Sequence, residues 1–350
     1  MQRAFSTTSG GNQQKQTAAP AERPWKRVTI HTLKAMKQNK QKITMVTAYD
    51  YPSAVHVDVA DIDVLLCGDS VGMVELGHDT TLPVTIDDMV HHCKAVSRGC
   101  RRPLLVGDLP FGTYEVDPKE AFRNAARLLK EGGMDAVKLE GGKNRVEAIK
   151  ATVQGGIATF GHIGLTPQQF SAMGGFRAQG RTADQAMNVL NDAIAVQEAG
   201  AFAVVIECVP ASVAREITAR LDIPTIGIGS GPNCDGQVLV YHDLLGMMQH
   251  PWHAAHVLKF CKMYASVGSV INEALAQYRD EVRQGQFPSL QYSPYQISAE
   301  EEELFLKRLH EGFDRERRAV GTAFTQGTTS SSGKPQEETT SLYGGGAKKQ

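Results

Sequence analysis

The chain contains the run Ile43-Thr44-Met45-Val46-Thr47, a short stretch of β-branched and other apolar residues that precedes a longer stretch with helical spacing. Val64-Leu65-Leu66-Cys67 and Leu104-Leu105-Val106 repeat this arrangement further along the sequence. Short apolar runs that alternate with helical stretches are typical of parallel strands joined by crossover helices. The pattern therefore predicts an α/β fold built on a parallel sheet.

The same alternation continues through the rest of the folded part. Further strands are predicted at residues 136–139, 157–160, 203–206 and 225–228, with a weaker one at 238–241. Helices are predicted at residues 118–131, where Asp117 and Pro118 provide the cap and the first turn, and at residues 183–199. Eight alternating strands predict a closed (β/α)8 barrel of the TIM type.

An open, doubly wound sheet is the alternative fold. It would normally place a glycine-rich turn directly after its first strand. Here the first strand is followed by Tyr49-Asp50-Tyr51-Pro52, and the run Gly227-Ile228-Gly229-Ser230-Gly231 comes late and leads into a loop. These glycines are better explained by a tight turn at the mouth of the seventh strand, so the closed barrel is favoured.

The two ends of the sequence differ in composition from the rest. The first twenty residues carry Arg3 and Lys15, many Ser, Thr and Gln, and no acidic residue precedes Glu22. This composition predicts that residues 1–25 are a mitochondrial transit segment. The alternative is a disordered tail without a targeting signal, on a cytoplasmic protein. Residues 26–313 are predicted to form a single barrel domain with C-terminal helices. Residues 314–350 are predicted to be a low-complexity disordered tail.

Overall charge and cysteine content restrict the class of partner. The 350 residues have a formal net charge of −1, so no global field attracts nucleic acid or an anionic membrane surface. Charges or glycines interrupt every apolar run, which argues against membrane insertion. Six cysteines without CxxC spacing indicate reduced thiols and no zinc site. A small-molecule partner is the expectation.

Acidic residues close several of the predicted strands. The C-terminal ends of barrel strands share one face, so residues that end different strands converge on one pocket. A single acidic residue at such a place is more often a solvated strand end or a helix cap, whereas four at four strand ends point to a site. The polar residues at these ends are Asp69, Ser70, Asp108, Lys138, Glu140, Glu207 and, just beyond the fifth strand, His162.

A cluster of carboxylates needs a cation to remain ionised, because its members raise each other's pKa. Lys138 supplies one positive charge, which is not enough for four carboxylates. Carboxylate oxygens without thiolates indicate magnesium, with coordination positions left for water and substrate. A 2-oxo acid that chelates the ion would become more acidic at the adjacent carbon. The cluster therefore predicts metal-assisted enolate chemistry.

Several longer motifs resemble, in order, those of the ketopantoate hydroxymethyltransferase family. The resemblance extends from about Thr29 to His242 and more loosely to about Pro288, so it covers most of the folded part. It implies a barrel of the phosphoenolpyruvate/pyruvate-binding type. The motifs are Gly68-Asp69-Ser70, Asp108-Leu109-Pro110-Phe111-Gly112, Val137-Lys138-Leu139-Glu140-Gly141-Gly142, Gly161-His162-Ile163-Gly164-Leu165-Thr166-Pro167-Gln168, Gly174-Gly175-Phe176-Arg177-Ala178-Gln179-Gly180, Glu207-Cys208-Val209-Pro210 and Asp235-Gly236-Gln237-Val238-Leu239-Val240.

The resemblance implies a reaction and a role for each matching residue. The reaction joins 3-methyl-2-oxobutanoate to the one-carbon unit of 5,10-methylenetetrahydrofolate and gives 2-dehydropantoate, a precursor of pantothenate and coenzyme A. Magnesium would bind to Asp69, Asp108 and Glu140. The oxo acid would contact Asp69, Ser70, Asp108 and Lys138, and Glu207 would be the catalytic base. His162 is a further candidate for substrate contact. The family also suggests a homo-oligomer, with a decamer as the expected state.

Some features leave alternatives open. A lyase of the isocitrate lyase and phosphoenolpyruvate mutase type also combines a barrel, magnesium and enolate chemistry, but it would carry a Lys-Lys-Cys-Gly-His type loop that this sequence lacks. A catalytically silent barrel would have lost an acidic ligand or Glu207, and all are present. The residues His250, His253 and His256 suggest a second metal site only weakly, because Pro251 disrupts their helical spacing. No pattern identifies the residues that bind the folate.

Overall fold

The computed structural model describes residues 26–175, 177–248 and 259–325 of the chain. The predicted transit segment at residues 1–25 lies outside these ranges. So do the histidine-rich segment from His250 to His256 and the last part of the predicted tail, residues 326–350.

Eight parallel strands form a closed barrel in which each strand pairs with its neighbours in sequence order. The barrel closes where β1 pairs with β8, with Ile43 opposite Gly236 and Val46 opposite Leu239. The predicted (β/α)8 fold is confirmed. The strands are β1 (Ile43–Thr47), β2 (Val64–Cys67), β3 (Leu104–Asp108), β4 (Ala136–Glu140), β5 (Ala158–Gly164), β6 (Ala203–Glu207), β7 (Thr225–Ile228) and β8 (Gly236–Leu239).

Helices connect the strands and continue beyond the last one. Many begin with a side-chain cap, as where the Asp117 carboxylate accepts from the backbone N–H of Lys119 directly before Pro118. The helices are α1 (Ile30–Gln38), α2 (Tyr51–Val59), α3 (Val71–Val74), α4 (Ile86–Gly99), α5 (Pro118–Lys130), α6 (Val146–Gln154), α7 (Phe170–Met173), α8 (Ala183–Glu198), α9 (Ala211–Arg220), α10 (Tyr241–Leu245), α11 (Val267–Arg283) and α12 (Ala299–Thr325).

Alternate residues of each strand face either the barrel interior or the helices, because side chains on a strand alternate in direction. The interior is filled by small and branched side chains such as Leu66, Val106, Ala136 and Val205, and by Phe160. The intervening residues pack against the surrounding helices in a second, larger core. Strands buried on both faces read as continuous apolar runs, which is the pattern seen in the sequence.

Helix α1 lies against the N-terminal end of the barrel. Its residues Leu33 and Met36 are buried in the same cluster as the interior side chains of β1 and β2. This end of the barrel is therefore closed by apolar side chains. The C-terminal end is left as the face on which polar groups gather.

Three boundaries differ from the sequence-based predictions. Strand β5 continues to Gly164, so His162 lies within the strand and not beyond it. Strand β8 begins at Gly236 and ends at Leu239, earlier than predicted. Helix α12 extends to Thr325, so residues 314–325 are helical where disorder was predicted. That segment contains Arg, Glu and Ala, which favour helix despite its low content of large apolar residues.

The chain divides into two compact units between Ala274 and Leu275. The first unit contains the barrel. The second contains the end of α11 and helix α12, with the short 3-10 turn Leu290–Tyr292 between them. Across the part of the chain that the structure describes, no helix combines the length and apolar character required to cross a bilayer.

Candidate active site

The polar residues of the C-terminal face continue the inward-facing rows of the strands. Asp108 follows Val106 by two residues, and Glu207 likewise follows Val205. The two-residue period of a strand therefore directs both carboxylates into the barrel mouth. His162 follows Phe160 in the same way on β5, which explains why a residue inside a strand is still part of the site.

Strand β4 contributes two charged residues to this mouth. Lys138 and Glu140 follow inward-facing Ala136 at successive two-residue steps. In the sheet, Lys138 pairs with Asp108 of β3, and Glu140 pairs with His162 of β5. The barrel register thus brings together four of the residues that the sequence indicated.

Asp69, Asp108 and Lys138 form one side of the cluster, and all three are buried. The backbone N–H of Asp69 donates to Asp108 Oδ2 at 3.0 Å. Lys138 Nζ lies 3.0 Å from Asp108 Oδ1 in an ion pair. Asp108 Oδ1 has no well-directed hydrogen bond among the described residues. This oxygen can therefore accept a further ligand.

Glu140, His162 and Glu207 form the other side. His162 Nε2 lies 3.1 Å from Glu207 Oε2, and His162 Nδ1 lies 3.4 Å from Glu140 Oε1. Lys138 Nζ is 3.3 Å from the same Nδ1 atom. The Glu207 side chain retains 16% of its exposure, whereas those of His162 and Glu140 retain 3% and 2%. Glu207 is thus the member of this group that reaches toward the open mouth.

Ser70 lies at the start of helix α3, next to Asp69. Its hydroxyl is hydrogen-bonded to the hydroxyl of Tyr49, with 2.8 Å between the oxygens. Tyr49 is fully buried, and burial raises the pKa of its phenol. Tyr49 therefore stays neutral and fixes the position of the Ser70 hydroxyl. Tyr49 follows β1 by only two residues, and it was not predicted from the sequence to be a site residue.

Two other residues at the site were missed by the sequence analysis. Gln168 lies in the 3-10 turn Pro167–Gln169 after β5, and Tyr114 lies in the loop after β3. Both are buried. Gln168 Nε2 donates to Asp69 Oδ2 at 2.8 Å, and the Gln168 backbone N–H donates to Glu140 Oε2 at 3.0 Å. The only sequence signal was the position of Gln168 in a motif at a strand end.

The buried charges strongly affect one another. Burial, with the nearby carboxylates of Asp108 and Glu140, raises the pKa of Asp69 to about 8. Burial also raises the pKa of Asp108, against the effect of Lys138. Burial tends to raise the pKa of Glu140, but His162 and Lys138 outweigh it and hold this pKa below its usual value. The carboxyl groups of the cluster therefore cannot all be ionised at once unless a further cation is present.

His162 has the opposite shift. Burial and the charge of Lys138 would lower its pKa, but the carboxylates of Glu140 and Glu207 outweigh them and raise it to about 9. Nδ1 of His162 lies between the Lys138 ammonium, which can donate to it, and the Glu140 carboxylate, which can accept from it, so the geometry permits a neutral or a protonated ring. The carboxylates of Glu140 and Glu207 favour the protonated ring. Each ring nitrogen lies near one carboxylate, Nδ1 near Glu140 and Nε2 near Glu207.

The donor set fits a hard divalent cation. Asp69, Asp108 and Glu140 offer buried carboxylate oxygens, which are the ligand type that magnesium prefers. Within the described ranges no group of three His, Cys, Asp or Glu side chains already has the geometry of a metal site.

Comparisons with known proteins identify relatives of this chain. Residues 27–290 match the family model for ketopantoate hydroxymethyltransferase. The chain is 58% identical over 304 residues to 3-methyl-2-oxobutanoate hydroxymethyltransferase 1, mitochondrial, of Arabidopsis thaliana, with 86% of this chain and 88% of that protein covered. It is 54% identical over 267 residues to 3-methyl-2-oxobutanoate hydroxymethyltransferase of Moorella thermoacetica, with 76% and 97% covered.

Solved structures resemble the chain in fold. A putative phosphonomutase from Burkholderia cenocepacia has a TM-score of 0.50 at 14% identity, covering 70% of this chain and 99% of that one. Oxaloacetate acetylhydrolase has a TM-score of 0.50 at 13% identity, covering 72% and 87%. At this low identity the likeness concerns the fold alone. The matching family model and the high identity to named relatives confirm the sequence-based resemblance, and the chain belongs to the ketopantoate hydroxymethyltransferase family.

Proposed function

We propose that this chain transfers a hydroxymethyl group from 5,10-methylenetetrahydrofolate to 3-methyl-2-oxobutanoate and gives 2-dehydropantoate, the first step of pantothenate biosynthesis. The names of its relatives support the reaction. The observation that carries the proposal is the buried cluster of Asp69, Asp108 and Glu140 around a single lysine. Such a cluster suits a divalent ion and an anionic substrate that shares it.

The first role of the site is to bind the oxo acid. Asp69, Asp108 and Glu140 would hold magnesium, which when bound would withdraw electron density from the oxo acid's carbonyl and acidify its C3–H. The Ser70 hydroxyl, fixed by Tyr49, would donate to the substrate. The Asp69 and Asp108 carboxylates would also lie against it.

Lys138 would balance the negative charge that develops during the reaction. Burial tends to lower its pKa, but Asp108, Glu140 and Asp69 outweigh burial and raise it above the usual lysine value. The side chain therefore remains an ammonium ion inside the barrel. A fixed positive charge in a water-poor site stabilises an enolate without needing to reorganise.

Glu207 would remove the proton from C3. Its carboxylate is the partly exposed member of the group, and His162 contacts it from the buried side. The imidazolium would fix the direction of the carboxylate. The C3–H electron pair then forms the enolate. Hydrolysis by one water would break both C–N bonds of the folate's methylene group, releasing tetrahydrofolate and leaving the one-carbon unit as formaldehyde. C3 of the enolate then bonds to the formaldehyde carbon, and the formaldehyde oxygen takes up the proton that Glu207 removed and becomes the new hydroxyl. His162, which lies next to Glu207, would also contact the substrate.

Product analysis tests this function directly. The purified protein would be incubated with 3-methyl-2-oxobutanoate, 5,10-methylenetetrahydrofolate and magnesium, with and without a chelator. We expect 2-dehydropantoate and tetrahydrofolate in equal amounts, and their loss on chelation. Formation of cleavage products from the oxo acid would instead support a lyase, and no turnover of the oxo acid by a metal-loaded protein would support a silent barrel.

We also propose a mitochondrial location and a homo-oligomeric assembly, with a cytoplasmic location as the alternative. Relatives from Arabidopsis thaliana and Oryza sativa carry the word mitochondrial in their names. The family resemblance supports the oligomer and suggests a decamer. Light scattering on the purified protein would measure the mass of the particle against the 38.0 kDa of one chain.

A further inference from the structure

Gln168 connects two of the proposed metal ligands to each other. Its side chain donates to Asp69 Oδ2 at 2.8 Å and to the Leu109 carbonyl oxygen at 2.9 Å. Its backbone N–H donates to Glu140 Oε2 at 3.0 Å. One buried residue thus contacts a carboxylate that follows β2 and another that ends β4.

The orientation of the Gln168 amide is fixed by its partners. The Leu109 carbonyl can only accept a hydrogen bond, so the atom facing it must be the NH2 group. The amide oxygen therefore faces Tyr114, whose hydroxyl donates to it. The Tyr114 hydroxyl in turn accepts from the backbone N–H of Glu140 at 3.2 Å. No flipped arrangement satisfies all these groups.

These bonds form a closed ring. It runs from the Glu140 N–H to the Tyr114 hydroxyl, from there to the Gln168 amide oxygen, and from the Gln168 N–H back to the Glu140 carboxylate. The Gln168 NH2 group is not part of this ring and donates to Asp69. All four residues are buried, so the bonds are shielded from competition by water.

We propose that Gln168, held by Tyr114, is a positioning residue that keeps the Asp69 and Glu140 carboxylates in place to share one divalent cation. This role rests on the proposed function. A neutral residue suits this role, because its side-chain amide orients Asp69 and its backbone N–H orients Glu140 without adding a positive charge that would compete with the ion. Outer hydrogen-bond partners of metal ligands typically change metal affinity by about 10- to 100-fold when they are removed.

The test compares Gln168→Met, Tyr114→Phe and the double variant by calorimetric titration with Mg²⁺ alone. Methionine approximately keeps the volume of Gln168 and removes its side-chain donor and acceptor, while the backbone N–H that donates to Glu140 remains. We expect Gln168→Met to weaken Mg²⁺ binding by about tenfold or more, and Tyr114→Phe to weaken it less. Tyr114 contacts Glu140 only at its backbone and reaches the Asp69 carboxylate through Gln168, so the double variant should bind no worse than Gln168→Met alone.

Gln169→Met is the matched control, since Gln169 is the next residue in the same 3-10 turn and lines a separate rim cavity of about 290 Å³. It should bind Mg²⁺ as wild type does. At saturating Mg²⁺ the turnover of Gln168→Met should recover toward wild type, while the Mg²⁺ concentration for half-maximal turnover rises. A purely structural role would instead lower turnover at every Mg²⁺ concentration.

Three results would overturn the proposal in different ways. Equal Mg²⁺ affinity in wild type and folded Gln168→Met would remove Gln168 from this role while leaving the proposed function intact. Wild-type protein that takes up no Mg²⁺ would overturn the metal assignment and this role with it. If Gln168→Met does not fold, the Tyr114→Phe variant decides, and wild-type affinity in that variant would count against the ring.

Discussion

His162 Nε2 lies 3.1 Å from Glu207 Oε2, where the buried imidazole of β5 meets the partly exposed carboxylate of β6. The opposite side of the ring faces Glu140. Because both carboxylates favour the protonated ring, His162 links the proposed metal ligand to the proposed base. Because the His162 ring stands between Glu207 and Glu140, we expect Glu207 to have a catalytic task that is separate from metal binding.

Replacing Glu207 with Gln should stop enolisation while leaving the oxo acid and magnesium bound. Glutamine keeps the shape of the side chain but removes its basicity. General bases typically contribute about 10²- to 10⁴-fold to turnover, so we expect a loss of at least about 100-fold. Proton exchange at C3 of 3-methyl-2-oxobutanoate in deuterated water, followed by NMR without folate, separates enolisation from one-carbon transfer.

Glu216→Gln provides the control, because Glu216 is an exposed residue of α9 paired with Arg220. It should exchange the C3 proton at the wild-type rate. If Glu207→Gln also exchanges at that rate, another group removes the proton, and His162 is the next candidate.

The alanine variants of Asp69, Asp108 and Glu140 should each lose magnesium affinity while the barrel remains folded. These carboxylates repel one another, so removing one relieves repulsion and does not open the apolar core. A direct ligand should matter at least as much as an outer partner, and we expect affinity to fall by at least about tenfold. Calorimetry and circular dichroism measure the two effects.

Asp87→Ala is the corresponding control for an exposed aspartate on α4. Its magnesium affinity should equal that of wild type. Unchanged affinity in the Asp69 and Asp108 variants would exclude them from the metal site.

The sequence predicted the barrel and its charged mouth because both depend on local pattern. Asp108, Glu140 and Glu207 each end an apolar run, and a strand's two-residue period places them together. The end of β5 was not predicted, since Gly161, His162 and Gly164 interrupt its apolar run. Pairing of His162 with Glu140 and of Gly164 with Glu207 extends the strand against this local preference.

Gln168 was beyond sequence reasoning for a different physical reason. Its partners Asp69 and Glu140 are 99 and 28 residues away in the chain. No local spacing connects a residue in a 3-10 turn to carboxylates at the ends of two other strands. Only the closed barrel, which brings the ends of all strands to one face, creates these contacts.

The first 25 residues should direct a fluorescent fusion to mitochondria. The physical basis is a segment with basic residues Arg3 and Lys15 and no acid before Glu22, the charge balance of a transit segment. A variant with Arg3→Glu and Lys15→Glu reverses that charge and should lose the targeting. Fluorescence microscopy with a mitochondrial marker measures both, and a cytosolic signal from the unchanged segment would refute the prediction.

Gly164→Ala should displace the proposed base without affecting the metal ligands. Gly164 has φ +91, and an added Cβ would overlap with the Glu207 carbonyl oxygen. We expect turnover to fall by at least about tenfold, because small displacements of a reacting group are costly, while magnesium affinity stays near wild type. Steady-state kinetics and calorimetry separate the two.

Gly156→Ala is the matched control. Gly156 has a similar φ of +87, but an added Cβ would meet no atom within 4 Å. Both variants therefore carry the backbone cost of a left-handed alanine, about 1–2 kcal/mol, and only Gly164→Ala adds the overlap. If Gly164→Ala turns over as fast as Gly156→Ala, the overlap with the Glu207 carbonyl oxygen does not displace the base and the prediction is wrong.

Magnesium binding should release a proton and strengthen as pH rises. Burial and the carboxylates of Asp108 and Glu140 raise the pKa of Asp69 to about 8 in the metal-free protein. Below that pH, Asp69 carries a proton that a cation must displace, because only the ionised carboxylate is a good ligand. The affinity should therefore rise by up to about tenfold per pH unit below pH 8 and level off above it.

Calorimetry in two buffers of different ionisation enthalpy measures the released proton at about pH 7 and about pH 9. We expect close to one proton at the lower pH and far less at the higher one. His162, with its pKa raised to about 9, is the other group that can lose a proton when a cation approaches. The His162→Gln variant distinguishes the two sources. If Asp69 is the source, this variant keeps the proton release and the pH dependence of affinity. Loss of both in His162→Gln would assign the proton to the imidazole, and a wild-type affinity that does not change with pH would contradict the raised pKa of Asp69.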